Sequence, residues 1–335
     1  MTLQRNKKLK IEWMFERGHD LDANIELLKQ LDSNNFYCIL IRTTSFYPDP
    51  WGVAYKYASI TNNIKFMIAI NPAQLSPTYC AIKIATFQKI FGNRLIINVV
   101  SGAHKGELAS YGDYTPIEKR YERSREYAEI IKKLVVTGRI DSYNGEFYKL
   151  QDVDTMVGEN FEIVFAGSSD NTIENANSVG DAHYYAMETL AQYKKDRYKI
   201  LVDSAIKATI IVEPTSTVAW DVTDKILEYS SDNLVEQLKN ESTFHESQNQ
   251  KRQQALHNFS KDNLIIEPNI WSGLGLVRTG GITAMVGDYN EIAELITNFY
   301  YAGLNRILLG GTPELHYATN FINGVMPILK QKGII

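Results

Sequence analysis

The sequence predicts an α/β fold, a single (β/α)8 TIM barrel, on two positive observations and one exclusion. Eight short runs rich in Ile, Val, Phe, Tyr and Leu recur along the chain, at 10–15, 36–42, 65–70, 94–100, 162–166, 182–187, 208–212 and 306–309. Each is nearly continuous, as a strand buried on both faces should be. Helical stretches separate them, among them 24–31, 78–91, 119–134 and 290–301. Strands alternating with helices make a parallel sheet, and eight is the number that closes a barrel. The exclusion concerns the rival, a doubly wound open sheet. It would carry Gly-x-Gly-x-x-Gly after its first strand, and Arg17-Gly18-His19-Asp20 stands there instead.

Three stretches break the rhythm and read as insertions after strands four and seven of one domain, 1–335. Residues 102–116 read as a loop. Residues 138–153 read as a hairpin, because Asn144-Gly145 is a two-residue turn signal. Residues 230–263 are polar and too long for a barrel connection, which suggests helix combined with a mobile lid.

With 44% hydrophobic residues, the chain of 335 residues has ample material for a large core. A net charge of −4 argues against a nucleic-acid partner, whose binding face is usually basic. Cys38 and Cys80 are not a Cys-x-x-Cys pair and read as buried thiols. The N-terminus lacks the apolar stretch of a signal peptide, and no segment approaches the ~20 apolar residues that span a bilayer. A cytoplasmic protein without a membrane partner is the expectation. No cluster has metal-ligand spacing, so no metal is expected.

Lys65-Phe66-Met67-Ile68-Ala69-Ile70-Asn71-Pro72, then Gly92-Asn93-Arg94-Leu95-Ile96-Ile97-Asn98-Val99-Val100-Ser101-Gly102, resemble the third and fourth strands of alkanesulfonate monooxygenases in the bacterial luciferase superfamily. Further matches follow in order: Lys119-Arg120-Tyr121-Glu122, Phe165-Ala166-Gly167-Ser168-Ser169, and the segment from Asn269 to Gly281. The resemblance runs from about residue 10 to 330 and is weakest in the first strand and in 230–263. It implies a flavin-dependent monooxygenase in which FMN, reduced by a separate flavin reductase, reacts with oxygen to give a C4a-(hydro)peroxyflavin. It also implies a homodimer or homotetramer, and the apolar helix at 81–91 could serve as interface or pack on the barrel.

Read physically, Asn98 and Ser101 end strand four, where a barrel gathers its site, and both can hydrogen-bond an isoalloxazine edge. Gly167, Ser168 and Ser169 end strand five and open a helix. They read either as a plain turn and N-cap or as a phosphate cradle of backbone N–H groups and two hydroxyls. Arg120 and Tyr121 can add a cation and a phenol. The resemblance selects the phosphate reading and adds Ala69 as a cofactor contact.

The substrate-handling residues of that family are largely replaced. Its cysteine falls on Tyr47, its strand-seven arginine and histidine on Lys207 and Thr209, and its final tyrosine on Thr312; only the arginine at Arg278 remains. Glu188 keeps an acid after strand six, while the neighbouring tryptophan becomes Ala186. A sulfonate needs fixed cations, and lysine lacks arginine's planar fork. A simple alkanesulfonate is therefore not the expected substrate. A small organosulfur compound or a carrier-bound intermediate of specialised metabolism is. For proton handling, His19 after strand one is preferred and His104 is second. Glu12 points from within strand one, and His183 reads as a core residue. Two rivals stay open: a deazaflavin-dependent hydride-transfer oxidoreductase of the same superfamily, and a catalytically silent flavin-binding homologue.

Overall fold

The computed structural model describes residues 7–15, 20–44, 47–102, 104–243, 247–279 and 282–335. In chain order the strands are β1 (Lys10–Met14), β2 (Cys38–Ile41), β3 (Lys65–Ile70), β4 (Leu95–Val99), β5 (Arg139–Asn144), β6 (Lys149–Asp154) and β7 (Glu162–Ala166). They continue as β8 (Ala182–Ala186), β9 (Asp203–Glu213), β10 (Ile265–Glu267), β11 (Ile270–Trp271), β12 (Ala284–Asp288) and β13 (Arg306–Gly310). The hydrogen-bonded order of the strands is that of a closed (β/α)8 barrel. The eight runs expected from the sequence are β1 to β4, β7, β8, β9 and β13. Contacts divide the chain into two compact units, Arg17–His183 and Met1–Glu16 with Tyr184–Ile335.

In the unit Arg17–His183, β2, β3, β4 and β7 pair in parallel, with Cys38 opposite Lys65, Ala69 opposite Asn98, and Asn98 opposite Val164. The helix Pro77–Phe91 starts where Ser76 accepts a hydrogen bond from Tyr79 N and Pro77 takes the first helical position. It packs on the helix Ile117–Thr137, which stops at Gly138 in a left-handed C-cap, φ 71°. Between them lies Cys80, fully buried, its thiol pushed up to about 12 by burial against the opposing hydrogen bond with Tyr127. Both cysteines are free and buried, as expected.

Two expectations in this unit need correction. The stretch 102–116 is not all loop: it contains the helix Lys105–Ser110, capped by the His104 ring, whose Nδ1 accepts from Glu107 N at 3.3 Å. The hairpin β5–β6 forms, but Asn144 pairs with Lys149, so the turn has four residues, Gly145 to Tyr148. Neither Asn144 nor Gly145 adopts the positive φ of a two-residue type I′ turn. The cause is tertiary. Glu126, from the helix Ile117–Thr137, accepts from Phe147 N and Tyr148 N at 3.1 and 2.8 Å. A Cβ on Gly145 would sit 2.0 Å from that carboxylate.

In the other unit, β1 pairs with β13 and β13 with β9, so that Glu12, Leu308 and Lys207 share one row and side-chain face. β9 begins five residues before the apolar run at 208–212. Its polar start is absorbed by specific partners: Asp203 receives Arg306, Ser204 Oγ receives Tyr193 OH at 2.9 Å, and Ser204 N donates to Asn305. The stretch after 263 holds three strands that the apolar pattern did not reveal: β10 and β11 have only three and two residues, and β12 reads Ala-Met-Val-Gly-Asp, an apolar run of three that ends in glycine.

The stretch 230–263 contains the helices Asp232–Ser242 and Gln248–Ala255. Its polar composition is misleading about burial. Gln253 is fully buried and donates to Met187 O at 3.1 Å. His257 is buried, and its Nδ1 accepts from Phe259 N at 3.0 Å. Among the described residues no helix is long and apolar enough to cross a membrane.

Candidate functional site

In the unit Arg17–His183, the strand ends β3, β4 and β7 carry the residues expected to hold a flavin. Ala69 and Asn98 are paired neighbours on β3 and β4, and both are buried. Asn98 Oδ1 is buried and has no hydrogen-bond partner in the described residues. A buried acceptor left unmatched is costly, so an amide held this way at a strand end suits a ligand that brings a donor.

Just beyond, Ser101 Oγ lies 3.1 Å from Ser124 Oγ, and Ser124 lies on the helix Ile117–Thr137. The chain turns at Gly102, φ 80°, where a Cβ would stand 2.6 Å from Leu108 and 3.0 Å from Asn71. A side chain at this position would be strained in its backbone and would press on Leu108 and Asn71.

After β7, Gly167 takes φ 148°, a conformation side chains rarely adopt. Ser168 and Ser169 are buried behind it. Ser169 caps the helix Asp170–Val179: its Oγ accepts from Thr172 N at 3.2 Å and lies 2.7 Å from Thr172 Oγ1. Asn175 in the same helix donates to Tyr121 O at 2.9 Å and ties it to the helix carrying Tyr121 and Ser124. Arg120 is buried, and its Nη1 donates to Thr115 O at 2.7 Å, holding the turn before its own helix. So the fold gathers Ala69, Asn98, Ser101, Tyr121 and the 167–169 turn within one unit. These residues fit a phosphate-bearing flavin: a helix N-terminus carrying two serine hydroxyls for the phosphate and an unmatched amide oxygen for the ring.

Nearby, a cavity of about 540 Å³ is lined by Ala73, Tyr111, Gly112, Asp113, Tyr114 and Arg123, among others. Its two charges are paired, Arg123 Nη2 to Asp113 Oδ2 at 2.5 Å. Burial pulls the Asp113 carboxyl up, but hydrogen bonds from Arg123 and Thr115 outweigh it and hold it at about 2. The groove therefore offers no net charge from this pair.

The other unit carries most of the residues expected to handle substrate. Arg278 Nη2 donates to Thr209 Oγ1 at 2.7 Å, so two positions 69 residues apart in the chain meet directly. Thr209 is buried opposite Gly310 at the end of β13, and Lys207, half-buried, faces the same side one row below. On that face, Glu12 is fully buried; its Oε2 accepts from Tyr184 OH at 2.7 Å, and Arg306 Nη1 lies 3.9 Å from its Oε1. Thr312 is exposed and precedes the cis bond to Pro313. Glu188 forms an ion pair with Arg252 at 2.8 Å, so the acid retained after strand six anchors the helix Gln248–Ala255.

Tyr47, in the unit Arg17–His183, is half-buried just ahead of the helix Pro50–Ala58. His19 lies outside the described residues. His104 serves as the helix cap already described, and His183 is fully buried, the core position expected. Sequence reasoning missed Ser124, Thr172 and Tyr184. Ser124 stands one helical turn past Tyr121, but its contact with Ser101 spans 23 residues and two elements, which no local pattern encodes.

Comparison with known proteins gives one family and many structures. The family model described as luciferase-like monooxygenase matches residues 11–306. The EDTA monooxygenase of Chelativorans sp. BNC1 superposes with a TM-score of 0.76 at 16% identity, covering 98% of this chain and 95% of its own. Riboflavin lyase, solved with modified FMN and riboflavin, gives 0.76 at 14% identity, covering 98% and 92%. The coenzyme F420-dependent tetrahydromethanopterin reductase of Methanopyrus kandleri gives 0.70 at 17%, covering 96% and 99%. At these identities the likeness shows a shared barrel fold.

Proposed function

Because the chain belongs to the luciferase-like monooxygenases, a family of oxidoreductases, we infer that it is the oxygenating component of a two-component system: it takes reduced FMN from a separate flavin reductase and uses O2 to oxidise a small or carrier-bound organic molecule. The observation that carries the cofactor reading is the buried, unmatched Asn98 Oδ1 beside Ser101, in the same unit as the Gly167-Ser168-Ser169 turn. When bound, the reduced ring supplies the electrons that activate oxygen.

The chain's own residues do the rest. Ser168, Ser169 and the backbone N–H groups after Gly167 hold the phosphate, with Tyr121 beside them. Asn98, Ser101 and Ala69 fix the ring edge. Substrate handling is assigned to Lys207, Thr209, Arg278 and Thr312 in one unit and to Tyr47 in the other, and proton handling to His19. The Arg278–Thr209 hydrogen bond occupies part of the guanidinium fork, which leaves a weaker grip on a sulfonate than two free arginine edges would give. This supports an organic substrate other than a simple alkanesulfonate. The reading also includes a cytoplasmic homo-oligomer and one barrel domain, with 230–263 as a lid.

Anaerobic titration with FMN and with reduced FMN, followed by oxygen uptake on mixing with air, tests the reading. Binding of reduced FMN with oxygen consumption is expected. Binding of coenzyme F420 with hydride transfer and no oxygen uptake would replace it with the dehydrogenase reading. Flavin binding that leaves oxygen reactivity as in free solution would replace it with a silent binding protein.

A further inference from the structure

The hydroxyl pair behind Asn98 has a fixed proton order. Ser124 Oγ stands 2.8 Å from Arg120 O and 3.1 Å from Ser101 Oγ. A carbonyl only accepts, and a serine hydroxyl has one proton. If Ser124 gave its proton to Ser101, two oxygen lone pairs would face each other at the 2.8 Å separation from Arg120 O. Ser124 therefore donates to Arg120 O, and Ser101 must donate to Ser124. Ser124 is fully buried, so no water competes for that proton. What Ser101 presents outward is then lone pairs alone.

Asn98 Oδ1, three residues earlier on the same strand end, is a second acceptor without a partner in the described residues. Two acceptors ask for two donors. The oxidised isoalloxazine has one ring N–H, at N3; two-electron reduction adds another at N5. With the oxidised ring one acceptor stays unmatched, and with the reduced ring both can be satisfied.

We propose that Ser124 is a positioning residue: by taking Ser101's proton it makes Ser101 an acceptor and so biases the strand-four rim toward the reduced ring. This rests on the FMN reading above.

The test is the ratio of dissociation constants for oxidised and dithionite-reduced FMN, measured anaerobically in the full chain. Ser124→Ala removes the acceptor and frees the Ser101 proton, so the preference for reduced FMN should fall about 3- to 10-fold, the worth of one hydrogen bond. In a Ser101→Ala background, Ser124→Ala should change the ratio no further. The ratio is internal to each variant, so partial loss of folded protein moves both constants alike. An unchanged ratio in Ser124→Ala with FMN still bound overturns the role of Ser124 and leaves the flavin reading standing. So does an equal effect in both backgrounds. A wild-type chain that binds neither form overturns both.

Discussion

At the scale of single residues, burial and partner decide what a titratable group does. Asp113 is buried beside Arg123, and its carboxyl is held at about 2. Its folded value lies below the roughly 3.9 of an unfolded aspartate, so its contribution is present above pH ~4 and is lost as the pH falls toward 2. Asp113→Asn should therefore lose about 2 kcal/mol in urea denaturation at pH 7. The gap to wild type should close as the pH falls from about 4 to 2; a gap independent of pH would contradict the assignment.

His257 behaves in the same direction for a different reason. Burial alone lowers it to about 4, so the folded chain holds it neutral. Unfolded histidine takes a proton near pH 6.5, so stability present above that pH should fall between about 6.5 and 4, by up to about 3 kcal/mol. His257→Asn keeps an acceptor for Phe259 N but cannot titrate, and its stability should be flatter across that window. An equal slope in both proteins would show that the histidine is not responsible.

Among elements, the helix Gln248–Ala255 shows how a polar segment becomes part of the fold. Arg252 reaches Glu188 at 2.8 Å and Asp196 at 2.7 Å, while Gln253 holds Met187 O. Burial pushes the Asp196 carboxyl up, yet Gln192 and Arg252 outweigh it and hold it below its usual range. Arg252→Ala leaves two shielded carboxylates without their shared cation. Hydrogen exchange across 248–255 should speed by about 10- to 100-fold, corresponding to roughly 1–3 kcal/mol of lost local stability. Unchanged protection there would mean that Gln253 and His257 suffice as anchors.

At the scale of the whole molecule, the replaced substrate residues set an expectation about turnover. The purified chain, supplied with reduced FMN and a panel of linear alkanesulfonates, should release no sulfite above the uncatalysed background. Brisk release from any of them would return the chain to sulfonate chemistry, with Lys207 and Arg278 as its anion contacts.

Much of this was legible in the amino-acid order. Eight apolar runs gave the number of barrel strands, because strand patterning is local, and the strings around Asn98, Tyr121 and Ser168 carried the resemblance to the family whose model matches the chain. The extent of β9, the four-residue turn at Gly145, the burial of Gln253 and His257, the Arg278–Thr209 hydrogen bond and the proton order of Ser101 and Ser124 were decided only in three dimensions. Each depends on a partner far along the chain: Arg306 for Asp203, Glu126 for the hairpin, Met187 for Gln253. Periodicity records which face of an element is apolar. It holds no record of which distant polar group meets that element, and the chemistry of this site is made from such meetings.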